Sequence, residues 1–168
     1  MMIYIHAVDH SAQHKGKDYD PVGASRLEKM LESLWGKKDI SVVAEEFSEE
    51  ACEKSTVKAS VCKEVSYRLK LQHIYCDPNS RERNELGIPT EAEIWIQAKI
   101  ELSVQYIKKE NFAYCDQLAA KYHLIREKFW LKKLERQRGE NVIFICGHDH
   151  IDSFSTMLTK NGWEVETV

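Results

Sequence analysis

Asn141-Val142-Ile143-Phe144-Ile145-Cys146-Gly147 is the stretch on which the fold turns. Its run of β-branched and aromatic residues predicts a strand. The strand ends in His148-Asp149-His150, and a helix containing Phe154, Met157 and Leu158 follows, with Asn161-Gly162 as its stop and Trp163 to Val168 as a last strand. Working back from that unit, Thr90 to Gly139 is helical in period, and breaks are expected near Lys109 to Asn111 because one helix of that length would be an outlier. At the other end, Ile3 to Val8 reads as a buried strand, Asp9 to Asp20 as a polar loop, and Asp20-Pro21 as the start of a helix carrying Leu27, Met30, Leu31 and Leu34 and closed by Gly36. Asp39 to Ala44 is a second strand, Ser48 caps a helix over residues 49–71, and His73 to Cys76 is a brief third strand ended by Asp77-Pro78-Asn79-Ser80. Strand and helix alternate, so the expected fold is α/β, with a mostly parallel sheet of about four to five strands and helices on both faces.

The whole chain reads as one domain, since 168 residues give room for a single core. A hydrophobic fraction of 43%, a charged fraction of 30%, and only 7 Gly and 3 Pro argue against disorder and fibrous repeats. A formal charge of -3 lacks the strong positive field that wins phosphate contacts on duplex nucleic acid. Apolar runs are far short of the roughly 18 to 20 residues that cross a bilayer, and the opening residues do not resemble a secretory leader, so the expected compartment is the cytoplasm. The 5 cysteines form no CxxC pair and read as reduced, packed thiols.

Ligands of parallel sheets bind beyond the carboxyl ends of the strands, where loops and helix N-termini converge. Three predicted strands end in Ala7-Val8-Asp9-His10, Ala44-Glu45-Glu46 and Gly147-His148-Asp149-His150. Together they would bring imidazoles and carboxylates to one rim. Such groups suit Zn, Mn or Fe(II), and hydrolysis is the natural reaction class. His10 and His150 are the expected metal ligands, with Glu45 or Glu46, which point opposite ways in an extended chain. His148 ranks behind His150 and is kept as a catalytic residue; Asp149 would touch substrate or cap the following helix. Arg126 can share the inner face of its helix with the stripe of Phe129, Trp130 and Leu134 and pair with a rim carboxylate or an anionic substrate. Gln13 and His14, in the first loop, would reach substrate, and Arg81 and Arg83 would form a second anion clamp. Trp95 and Trp130 read as core aromatics. The apolar residues Ile94, Ile96, Ile100, Leu102, Val104 and Ile107 are numerous enough to cover both the sheet and a second copy, so a homodimer is expected.

These same pieces, Ala7-Val8-Asp9-His10, Val42-Val43-Ala44-Glu45-Glu46, Arg126-Glu127 and Gly147-His148-Asp149-His150, resemble the TraB/TIKI superfamily, which includes the erythromycin-esterase-like and ChaN-like proteins. The first piece departs from it, with Ala7 where the family usually has Gly. The resemblance implies a site of His10, Glu45 or Glu46, Arg126 and His150, and a metal-dependent hydrolytic activity. Gly147-His148-Asp149-His150 is also similar to the GHxH motif of calcineurin-like metallophosphoesterases, where both histidines bind a two-metal centre; the GDxxD and GNHE segments of that family are absent. A third expectation is a module that binds a small anion or nucleotide without turnover.

Overall fold

A computed structural model of the protein describes residues 2–168. The strands are β1 (Met2–Ala7), β2 (Val42–Glu45), β3 (Gln72–Tyr75), β4 (Val142–Cys146) and β5 (Glu164–Thr167). They form one sheet in the order β3-β2-β4-β1-β5, and every pairing is parallel. The stretch Val142–Cys146 is its centre: all five residues are buried, with β1 on one side and β2 on the other. The fold class is therefore the α/β one that the alternation of elements implies.

Nine α-helices occur among the described residues: α1 (His10–Gln13), α2 (Pro21–Lys38), α3 (Glu49–Lys54), α4 (Val61–Leu69), α5 (Ser80–Glu85), α6 (Glu91–Glu101), α7 (Phe112–Ala120), α8 (His123–Leu134) and α9 (Ile151–Lys160). On one face of the sheet α8 and α9 bury Trp130, Leu134, Phe154 and Leu158 against Ile5, Ala44, Phe144 and Cys146. On the other, α2 and α4 bury Leu27, Leu31, Val61 and Val65 against Tyr4, Val43, Ile143 and Ile145. The strand period of two sorts these residues, because successive side chains point to opposite faces. A small separate cluster, Ile94, Ala98, Cys115 and Leu118, joins α6 to α7.

Several boundaries differ from the sequence reading, each for a local reason. Helix α2 continues through Gly36 and stops at Asp39, which adopts the left-handed conformation at φ 50°. The single helix expected over residues 49–71 is broken, because Thr56 takes φ 56° and Ser60 starts a second helix by accepting from Lys63 N. Ser48 does cap α3, accepting from Ala51 N. The first loop holds the short α1, and the charged loop 81–89 holds most of α5, started by a reciprocal Asn79–Glu82 cap. The long helical region is divided at Leu102 and again at Lys121, not only near residue 110. Trp130 is fully buried, as expected of a core aromatic, but Trp95 is 39% exposed and stacks on Phe112 at the surface. All five cysteines are free and buried. Among the described residues no helix is long and apolar enough to cross a membrane.

Candidate functional site

The register of the three middle strands builds the site. Ala7 pairs with Cys146, and Glu45 with Ile145, so the carboxyl ends of β1, β4 and β2 are level. Two backbone bonds carry this alignment one residue further, from Val8 N to Cys146 O at 2.9 Å and from Glu46 N to Ile145 O at 2.7 Å. Beyond these ends lies a cleft of about 320 Å³ lined by Val8, Asp9, Gly147, Asp149 and the charged and imidazole groups His10, Glu46, His123, Arg126, His148 and His150. Four of the seven histidines in the chain thus face one cavity. A larger groove of about 660 Å³ lies beside it, walled by Glu49, Glu50, Glu53 and Glu82, but no histidine reaches it. The chemistry is concentrated in the smaller cleft.

Glu46 is the centre of the cleft floor and is 3% exposed. Its Oε1 accepts from Arg126 Nη2 at 2.5 Å, and its Oε2 accepts from the Gly147 amide at 2.8 Å. His150 Nε2 lies 3.5 Å and His10 Nε2 3.9 Å from the same Oε1. Burial alone would raise the Glu46 pKa, but the contact with His150 and the positive charge of Arg126 outweigh it and hold the carboxyl well below the usual range.

Helix α8 delivers Arg126, Glu127 and Trp130. The Arg126 guanidinium also donates to Asp77 Oδ1, from Nε at 3.0 Å and from Nη2 at 2.8 Å, and Trp130 Nε1 donates to the same oxygen at 3.2 Å. His150, 3% exposed, turns its Nδ1 to Glu127 Oε1 at 2.9 Å, where the Ser153 hydroxyl also donates at 2.5 Å. The other oxygen, Glu127 Oε2, is buried with no hydrogen-bond partner among the described residues. Burial disfavours the charged imidazole, yet Glu127 and Glu46 reverse this, and the His150 pKa is pushed up to about 9. His123 lies against His150 with ring centroids 4.2 Å apart and the rings tilted by 46°, and burial followed by the His150 charge lowers its pKa.

His10, Glu46, Arg126 and His150 therefore come together, and the pairing of Arg126 with a rim carboxylate is Glu46. His148 and Asp149 line the cleft as exposed residues; the segment His148–His150 is a 3-10 turn, which buries one histidine and leaves the other at the rim. Asp149 makes no cap, since the residue before α9 is His150. The remaining expected residues lie elsewhere. Glu45 is fully buried and faces away from the cleft, toward Gln13 of α1, Ser60 at the start of α4 and His73 of β3, because one residue along a strand reverses the side chain. Gln13 is also fully buried, so it cannot meet substrate. His14 stacks on Phe47 with centroids 5.5 Å apart, outside the cleft. Arg81 pairs with Glu85 at 2.8 Å in the open, and Arg83 is taken by Asp77 at 2.5 Å, so neither forms a second anion clamp in the cleft.

Sequence reasoning missed the roles of Asp77, His123 and Glu127. Glu127 carried a readable signal: it shares the buried face with Trp130 and Leu134 at i, i+3 and i+7, where a carboxylate needs a buried partner.

Two imidazoles and a carboxylate are donors of the right kind for a divalent cation, and each ring has its Nδ1 held by a second group, as metal-binding histidines do. Among the described residues, however, no three His, Cys, Asp or Glu side chains are gathered closely enough to form a metal-binding group, and Glu46 Oε1 is engaged by Arg126. Comparison of the chain with protein-family models, curated proteins and solved structures finds no match.

Proposed function

We propose that this cleft is the active site of a cytoplasmic hydrolase acting on a small polar or anionic substrate. One observation carries the reading: two histidines from different strand ends approach the same oxygen of a buried glutamate, while each ring's Nδ1 is held from behind. His10, whose side chain is 55% exposed, is the base that takes a proton from water at Nε2. His150, charged at neutral pH, is the acid that returns one to the leaving group. Glu46 stabilises the charged His150 ring, Gln13 holds the His10 ring, and Arg126 keeps Glu46 ionised while adding positive charge for an anionic substrate. His148 and Asp149 sit at the rim as substrate contacts.

The divalent cation (Zn, Mn or Fe) implied by the TraB/TIKI-like resemblance is an alternative to these acid–base roles. His10, His150 and Glu46 would hold it only with both rings neutral and Glu46 released from Arg126, and it would supply Lewis-acid polarisation of the scissile group. Exposed apolar residues on α6 and α7, Ile96, Ile100 and Phe112, are the face that a homodimer would cover.

The test is turnover of nitrophenyl carboxylate and phosphate esters by the purified protein, with chelator and with added Zn, Mn or Fe(II), beside His10→Ala and His150→Ala. Turnover that falls on the order of 10²-fold or more in both variants is the expected result. Equal turnover in the variants overturns the reading. Absence of turnover, joined to a thermal shift with small anions that needs no metal, favours the non-catalytic binding module instead.

A further inference from the structure

His10 and Gln13 are three residues apart on α1, so their side chains share a face, and His10 Nδ1 lies 2.7 Å from Gln13 Oε1. Across the same amide, Gln13 Nε2 donates to Glu45 Oε2 at 3.3 Å. Gln13 and Glu45 are both fully buried, so solvent does not stand in for either partner. A carboxylate oxygen accepts only, whereas an amide has one accepting and one donating end. Glu45 therefore decides which way the Gln13 amide faces. With its NH2 turned to Glu45, the amide presents its carbonyl to His10, and that carbonyl requires a proton on Nδ1. A neutral His10 ring then keeps a lone pair on Nε2, the nitrogen that faces the cleft.

The far end of this chain is itself fixed. Glu45 Oε1 accepts the Ser60 hydroxyl and lies 2.7 Å from His73 Nε2. Ser60 Oγ already accepts from Lys63 N, which leaves its proton for Glu45. At the near end, Glu46 would draw the His10 proton to Nε2, but its Oε1 lies 3.9 Å from that nitrogen, beyond hydrogen-bond reach. The relay thus has a defined direction.

We propose that Glu45 is a positioning residue: acting through Gln13 from the opposite face of the sheet, it keeps the His10 proton on Nδ1 and leaves Nε2 open to the cleft. Its catalytic value rests on the reading of His10 as the base of a hydrolytic site, but the tautomer can be read without any turnover. Long-range proton–nitrogen correlation spectra of the full chain labelled with ¹⁵N-histidine, taken at alkaline pH, report which ring nitrogen bears hydrogen. The His10 signals are assigned by their loss in His10→Asn.

The wild-type protein is expected to carry hydrogen on Nδ1. Glu45→Gln turns a donating NH2 toward Gln13, so the Gln13 amide flips and His10 moves to the Nε2-protonated form. Gln13→Met, of similar volume, cuts the link from the other side and releases the ring toward that form, which imidazole favours in water. In a turnover assay Glu45→Gln loses on the order of 10²-fold or more in kcat with KM little changed. Hydrogen on Nε2 in the wild type, or on Nδ1 in both variants, overturns the inference. A wild type that hydrolyses esters with Nε2 protonated defeats this inference and leaves the hydrolase reading. One that shows the Nδ1–H ring and its loss in the variants, yet no turnover, supports the relay and defeats the hydrolase reading.

Discussion

Glu45 and Glu46 are adjacent, chemically identical and both buried, yet they live in opposite electrostatic worlds. Glu46 faces positive charge, with Arg126 bound to it and the charged His150 3.5 Å away, and the His10 ring lies at 3.9 Å. Glu45 accepts from the Ser60 hydroxyl and the Gln13 amide and lies beside the His73 ring, and none of these partners is an arginine or a lysine. The pleat of one strand is enough to divide a pair of carboxylates in this way. What differs is what each face of the sheet is covered with: α8 carries Arg126 and Glu127, while α1 and α4 carry neutral amide and hydroxyl groups. A buried acid matched to a cation is held by charge and is fragile to loss of that charge; a buried acid matched to neutral donors is held by direction.

The largest effect should come from removing the cation. Arg126→Met leaves Glu46 and Asp77 buried without their common partner and should cost about 3–5 kcal/mol in urea unfolding. Next comes pH, measured on chelator-treated protein. The His150 pKa of about 9 lies above its ordinary 6.5, so its stabilising contribution is complete below about pH 6.5 and is lost as the pH rises through about 9. That contribution is about 3 kcal/mol, and His150→Gln should flatten the alkaline decline. Glu46 has the reverse sign: its pKa is depressed, so its contribution is present above the ordinary carboxylate pKa and fades only as the pH falls into the acid range.

On the Glu45 side the expected losses are smaller. Ser60→Ala removes both the start of α4 and one donor to Glu45, for about 1–2 kcal/mol by thermal melting. If its loss matched that of Arg126→Met, the contrast between the two glutamates would be broken. The smallest effect belongs to Tyr67, 89% exposed on α4, where Tyr67→Ser should change stability by less than about 0.5 kcal/mol.

The sheet was legible because strands buried on both faces announce themselves. Val142–Cys146 and Met2–Ala7 are short apolar runs bounded by polar residues, and their order between helices dictates a parallel arrangement. The rim was legible for the same reason, since His10, Glu46 and His150 follow strand ends directly. Which of two neighbours faces the cleft was not. That depends on where β2 ends: the strand runs through Glu45, one residue beyond the expected Ala44, and the parity of that last residue fixes both glutamates. Asp77 was illegible as a site residue because its partners, Arg83 and Arg126, meet it only in three dimensions; for Glu127 the helix face gives its burial, but its partners His150 and Ser153 likewise emerge only from the fold. The helix break at Thr56 had no sequence mark either, since a left-handed threonine is imposed by its surroundings and not preferred.

The buried cysteines give the folded chain a built-in reporter. Burial pushes the thiols of Cys52, Cys62 and Cys146 up, and that of Cys76 up to about 12, so none of these is an effective nucleophile while the sheet and its helices are closed. A colorimetric disulfide reagent added to the native protein should therefore develop colour only as fast as the molecule opens, which turns the sulfur atoms into a clock for its unfolding.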